Sequence, residues 1–315
     1  MARSKKTAKR SSKKTPAAAT VKVQQTSAPK GVIRFSRHVW SELWLRRRLF
    51  GALVLVAWLA SLFVSGSTQH EQYLMLRDLT TTVTDVFGVS SSLLQSLSLS
   101  LSLMGGGLMA SMSEGQQLWQ LFVFVMIWLT VVWLLRRSFA SEETPKLRDG
   151  LYSAGAPLVA TLALLVIGLL QLLPLTIVML GVATANSNGL LASVWGSLIA
   201  LVFILPTLVL TLLWLTTTVF ASVIVTIPGT YPIAALRSAR SIVRGRRLKL
   251  VRYMVWLGFI VTLLVALVLL PVLLLDTLWQ DSLPLVSSVF QLIVITGFVY
   301  ASSYVYLLYR SMIDE

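Results

Sequence analysis

The sequence predicts an all-α integral membrane protein with six transmembrane helices, arranged as three hairpins that are each preceded by a cytoplasmic amphipathic elbow helix. Hydrophobic residues make up 56% of the 315 residues and charged residues only 12%, a balance unlike that of a soluble domain. Long apolar runs alternate with short basic segments, which indicates several membrane crossings. By an elbow helix we mean a short helix with a basic and an apolar stripe that joins a span and lies flat at the lipid headgroups.

The first 34 residues form a basic segment that we expect to be a disordered cytoplasmic tail. Residues 1–30 hold nine of the 27 lysines and arginines and no acidic residue. Such a tail associates with anionic lipid, each basic residue near the surface contributing roughly 1 kcal/mol. Nucleic-acid binding is the alternative, and it would be nonspecific because the tail has no aromatic residue to stack on bases.

Beyond the tail, residues 35–315 are predicted to form a six-span membrane domain. The first elbow covers residues 35–48, with Ser36 as its N-cap and with Trp40 and Trp44 on one helical face. A cleaved signal peptide is the alternative to the first span, but its basic region would be too long. The spans are expected at about 49–65, 118–135, 157–183, 191–222, 253–275 and 286–309.

The distribution of charge sets the orientation of these spans. Residues 65–117 hold one basic residue, Arg77, and are placed outside, whereas the other lysines and arginines fall on the cytoplasmic side. Both chain termini are therefore expected in the cytoplasm. Within the outer segment, the uncharged residues 86–112 are expected to form an interfacial or re-entrant helix, because one more crossing would reverse the charge bias.

Three units share the order of elbow, span, outer turn and returning span, and they begin near Ser36, Thr144 and Tyr231. In the second unit, Thr144 is expected to cap an elbow that begins at Pro145.

The third elbow, Tyr231 to Arg252, has the clearest pattern. From a helix start at Pro232, a basic stripe follows at spacings of three and four residues: Arg237, Arg240, Arg244 and Arg247. An apolar stripe occupies another face: Ala235, Leu236, Ala239, Ile242 and Val243. We expect the basic residues of the first and third elbows to contact anionic lipid headgroups. These residues are Arg46, Arg47, Arg48, Arg237, Arg240, Arg244, Arg246, Arg247, Lys249 and Arg252.

No residue pattern indicates catalysis, a metal or a cofactor. The chain has no cysteine, and its two histidines, His38 and His70, are separated by the first span. None of the predicted spans holds an ionisable residue, which coupled transporters commonly need. The polar residues Gln171 and Gln291 are expected to make hydrogen bonds between helices.

The segment ALRSARSIVRGRRLKLVRYMVW resembles the segment before the fifth span of certain bacterial six-span membrane proteins. Those proteins are related to the membrane domain attached to some glycerophosphodiester phosphodiesterases. The resemblance is concentrated in Tyr231 to Trp256, while the six-span layout agrees over residues 36–310. It implies a noncatalytic module of the bacterial plasma membrane, without the hydrolase chemistry, because this chain has no soluble hydrolase domain.

Two functions follow as hypotheses. The first is a non-enzymatic membrane-organising or accessory module whose basic elbows contact anionic lipids of the cytoplasmic leaflet, and it leaves room for an unidentified protein partner. The alternative is a permease for a lipid-like or neutral solute that passes between the hairpins. A transport function would be favoured by ionisable residues or a continuous polar cavity inside the bundle.

Overall fold

The structure is a computed structural model that describes residues 31–65, 113–140, 145–190, 193–278 and 286–314. These ranges contain helices and no strand. In chain order the helices are α1 Val32–Leu45, α2 Arg47–Ser65, α3 Glu114–Ala140, α4 Leu147–Ala154, α5 Leu158–Ser187, α6 Val194–Ile224, α7 Pro232–Val243, α8 Arg247–Leu278 and α9 Val286–Asp314. The predicted disorder of the tail and the predicted helix over 86–112 lie outside the described residues.

Within the described ranges, five helices are long and apolar enough to cross a membrane: α3, α5, α6, α8 and α9. The protein is therefore a multi-pass membrane protein, and its described part is helical. The remaining predicted span corresponds to α2, which has 19 residues and begins with Arg47 and Arg48. It is not among the five helices, so the number of six spans stays a prediction.

The long helices extend beyond the apolar runs from which the spans were predicted. Helix α8 begins at Arg247, although its span was predicted to begin near residue 253, and α3 continues to Ala140, past the predicted end near 135. An apolar run marks only the hydrocarbon part of a membrane helix. The backbone hydrogen bonds continue into the headgroup layer, so the helix is longer than the run.

Helix α9 lies at the centre of the bundle and packs against α1, α2, α3, α6 and α8. Its buried side chains include Ile295, Val299 and Tyr304. The hairpin of α5 and α6 lies at the side, because α5 packs mainly against α6. The short helices α1, α4 and α7 pack against the long helices, so the described helices share one main apolar core.

The beginnings of the first two elbows differ from the prediction. Helix α1 begins at Val32, before the predicted tail boundary at residue 34, and its N-cap is Gly31. The prediction of Ser36 as an N-cap is wrong, because Ser36 is buried inside α1 and its Oγ donates to the carbonyl oxygen of Val32 at 3.0 Å. Helix α4 begins at Leu147, two residues after Pro145. Thr144 lies outside the described residues.

The third elbow is two helices rather than one. Pro232 occupies the first turn of α7 as predicted, but α7 ends at Val243. Arg244 is extended and Gly245 has a φ of 85°, a left-handed conformation that glycine adopts without strain. The single basic stripe predicted to run through to Arg247 is therefore wrong, because Arg247 already belongs to α8.

Candidate functional site

Several helix ends and junctions meet at one end of the bundle, which we call the basic end. Arg136 of α3 donates to the carbonyl oxygen of Thr226, just after α6, at 2.9 Å, and also to Thr226 Oγ1. Arg246 Nη1, between α7 and α8, donates to the carbonyl oxygen of Met312 in α9 at 3.2 Å. The lysines and arginines of the described residues lie in α1, α4 and α7, in the turns beside them, or near those ends of α2, α3, α8 and α9 that meet here.

Part of this positive charge is held by contacts within the protein. The guanidinium groups of Arg46 and Arg310 both lie over the ring of Phe139, with their Cζ atoms 4.9 Å and 4.1 Å from its centroid. Arg46 also pairs with Glu42 one turn earlier. Arg47 lies over the ring of Trp44, at 5.4 Å from Cζ to centroid. These contacts join the α1–α2 junction to the ends of α3 and α9.

Helix α7 uses its apolar stripe to bind other helices of the protein. Ala235, Ala239 and Val243 are fully buried, and the helix packs against α6 and, more lightly, α5. The small alanine side chains allow the close approach of helices that is common in membrane proteins. Arg237 and Arg240 lie on the exposed side of α7. The apolar stripe lies where the sequence predicted it, and other helices of the protein cover it.

The ten basic residues predicted to contact lipid divide into two groups. Three are half-buried, namely Arg46, Arg246 and Lys249. The others are exposed, and none of them makes an ion pair within the described ranges: Arg47, Arg48, Arg237, Arg240, Arg244, Arg247 and Arg252. Their contact with lipid stays a prediction.

A groove that sequence reasoning missed lies beside the basic end, between the start of α1 and α8. It has a volume of about 990 Å³. Helix α1 contributes Ile33 and Arg34 to its lining, and α8 contributes Arg252, Val255 and Phe259. The spacing of the α8 residues places them on one helical face, which the sequence could have indicated. The other wall depends on where α1 docks, and no local pattern contains that information.

The docking of α1 is fixed by aromatic contacts and one hydrogen bond. The buried ring of Phe35 meets Tyr253 of α8 and Tyr304 of α9 edge to face, at centroid distances of 5.6 Å and 4.9 Å. Trp256, which also lines the groove, donates from Nε1 to Ser36 Oγ at 3.2 Å. Ser36, predicted as a cap, thus connects α1 to α8.

The polar residues considered for transport make hydrogen bonds between helices, as expected. Gln171 of α5 accepts from Thr218 Oγ1 of α6 at 2.7 Å. Gln291 of α9 donates from Nε2 to Gln120 Oε1 of α3 at 3.4 Å. In the part of the chain that the structure describes, no three acidic or histidine side chains lie together as metal ligands would.

The fold and the basic end define a class, that of helical multi-pass membrane proteins with a strongly positive face at one end. Comparison with protein-family models, curated proteins and solved structures found no match for the chain. The resemblance of Tyr231 to Trp256 to the membrane domain of certain phosphodiesterases stays a prediction.

Proposed function

We propose that the protein is a non-enzymatic, multi-pass protein of the bacterial plasma membrane that organises anionic lipid at its basic end. This end faces the cytoplasm, together with both termini, because positively charged loops are retained on that side. The exposed arginines of α7 and of the α7–α8 junction contact lipid phosphates. The alternative function, a permease, has no observation in its favour among the described residues.

The observation that supports the proposal is that one side of α7 is buried against protein while the other side, which carries arginines, is exposed. Its apolar stripe of Ala235, Ala239 and Val243 is buried against protein, which holds the helix in place. Arg237 and Arg240 on its other side are exposed and have no ion-pair partner within the described ranges. Because the backbone of a docked helix is already held in place, binding a phosphate orders only the arginine side chain, which lowers the entropic cost of each contact.

The proposal is tested by the lipid that stays around the full chain. The protein is reconstituted into vesicles of equal amounts of phosphatidylglycerol and phosphatidylcholine. A styrene–maleic acid copolymer then extracts it together with its adjacent lipid. Mass spectrometry measures the ratio of the two lipids in these particles. We expect phosphatidylglycerol to be enriched around the wild-type protein. We expect less enrichment around a variant with Arg237→Gln, Arg240→Gln, Arg244→Gln and Arg247→Gln.

The matched control carries lysine at the same four positions, which keeps the charge and removes only the guanidinium groups. We expect it to retain most of the enrichment, because the attraction to an anionic surface depends mainly on charge. Equal enrichment around the glutamine variant and the wild type would show that these arginines do not organise lipid.

A further inference from the structure

We propose that the groove between α1 and α8 is a binding site for one anionic phospholipid, with its phosphate held between Arg34 and Arg252 and an acyl chain against Val255 and Phe259. This inference rests on the proposed function and adds to it a single, structurally defined site. The site differs from the exposed arginines of α7 because it has an apolar wall as well as a positive charge.

The groove has the polarity gradient of a phospholipid. Along α8, Arg252 is followed on the same face by Val255 and Phe259, which lie about 4.5 Å and 10.5 Å farther from the basic end at 1.5 Å per residue. Val255 and Phe259 are 55% and 56% exposed, so the groove presents apolar surface that no protein element among the described residues covers. A charged head at one end and a hydrocarbon chain beyond it match this order.

The shape of the groove is set before any lipid binds. Trp256 is held by its hydrogen bond to Ser36 and lies 5.5 Å from Phe259, centroid to centroid. On the other wall, the backbone at Ile33 and Arg34 is held in place because the neighbouring Phe35 is buried between Tyr253 and Tyr304. A preformed site loses less entropy on binding than a mobile one.

The charge of the groove selects its occupant. Arg34 and Arg252 are exposed, and the first turns of α1 and α8 contain no acidic residue. Residues 1–30 directly precede Gly31, which lines the groove. They hold nine basic residues and no acidic one, so their charge is repelled by the arginines of the groove and they are an unfavourable occupant. A second copy of this chain would bring another basic end with it. An anionic lipid satisfies both the apolar wall and the arginines.

Photocrosslinking from within the groove identifies the occupant. The full chain with Val255→p-benzoylphenylalanine is placed in vesicles of equal phosphatidylglycerol and phosphatidylcholine, irradiated and analysed by mass spectrometry. We expect adducts mainly with phosphatidylglycerol. A covalent dimer, or an adduct with residues 1–30, would overturn the proposal. The reference position is Val166→p-benzoylphenylalanine, because Val166 is 55% exposed on α5, lies as many residues from the start of its helix as Val255 does, and reports the bulk lipid.

Charge variants test whether the two arginines cause the preference for phosphatidylglycerol at position 255. Adding Arg34→Gln and Arg252→Gln should lower the preference for phosphatidylglycerol at position 255 by roughly fivefold for each arginine removed. The proposal is wrong if the lipid ratio at position 255 equals that at position 166 in the unaltered background.

The two proposals fail in different ways. The four glutamine substitutions on α7 and the α7–α8 junction should lower the overall enrichment of anionic lipid around the protein. They should leave the ratio of the lipids crosslinked at position 255 unchanged. If enrichment persists but position 255 shows no preference, only the groove proposal fails. If enrichment around the wild type is absent, the proposed function fails. The ratio of the lipids crosslinked at position 255 then still tests whether the groove binds an anionic phospholipid.

Discussion

Helices α3 and α9 at the centre of the bundle and the hairpin of α5 and α6 at its side are all long and apolar, yet their surroundings differ. In the most apolar 18-residue window of α3 and of α9, 56% of the residues are buried inside the protein. The corresponding share is 11% for both α5 and α6. The central helices thus contact mainly protein, whereas the side hairpin presents most of its surface outward.

This difference shows that apolar character and burial are separate properties in a membrane protein. Lipid chains are as apolar as leucine, so an exposed leucine on α5 loses nothing by facing them. Central helices are instead distinguished by the share of their side chains that packs against protein, since buried polar groups occur in both regions, such as Ser302 of α9 and Thr211 of α6. Substitutions of similar chemistry should therefore have large effects at buried positions of α9 and small effects at the exposed positions of α5 or α6.

The largest effect is expected from removing an aromatic ring at the centre. Tyr304 is fully buried and its ring contacts Phe35 at a centroid distance of 4.9 Å. Tyr304→Ala should lower the free energy of unfolding by about 3–5 kcal/mol, because it leaves a cavity and weakens the docking of α1. The measurement is unfolding of the purified full chain by SDS in mixed micelles.

The matched change in the side hairpin is Phe203→Ala, at a ring that is 60% exposed. It should shift the SDS midpoint little. A loss comparable to that of Tyr304→Ala would mean that the side hairpin is as tightly packed as the centre, contrary to the contrast drawn above.

A smaller effect is expected where a glycine allows two helices to approach. A Cβ atom added to Gly297 of α9 would lie 3.3 Å from Val261 Cγ1 of α8. Gly297→Leu should therefore cost about 1–3 kcal/mol through overpacking. Gly181→Leu in α5 is the control, since a Cβ at that glycine meets no atom within 4 Å. Equal midpoints for the two variants would contradict close packing of α8 and α9.

The smallest effect is expected from the hydrogen bond inside the side hairpin. Thr218→Val keeps the shape of the side chain but removes the donor to Gln171 Oε1. It should cost about 0.6 kcal/mol, the average for such bonds between membrane helices. The control is Thr207→Val, because Thr207 Oγ1 donates at 2.8 Å only to the carbonyl of Phe203 in its own helix. If the two variants unfold alike, the bond to Gln171 adds no stability.

Much of the candidate site followed from local patterns, and the parts that did not have identifiable physical causes. The burial of Ala239 and Val243 and the exposure of Arg237 and Arg240 follow from helical periodicity, which is a property of the segment itself. The helical spacing of the arginines did not indicate the break at Gly245, because glycine tolerates both helical and left-handed conformations and its neighbours decide between them.

The role of Ser36 shows the limit of local reasoning most clearly. A serine before an amphipathic run is a common N-cap, and the run itself gave no reason to start the helix at Val32. Its actual place, against Trp256 of a helix more than two hundred residues later, depends on how α1 docks. The groove depends on the same docking, so it also lay beyond the reach of sequence patterns.

The sequence by itself determined the helical, membrane-embedded character of the protein, the approximate positions of its long helices and the segregation of positive charge. These features follow from hydropathy and charge, which act over a single segment. Only the tertiary structure decided that α9 is central, that α5 and α6 lie at the side and that α1 and α8 enclose a groove. Apolar side chains do not distinguish lipid from protein, so packing between distant segments makes that choice.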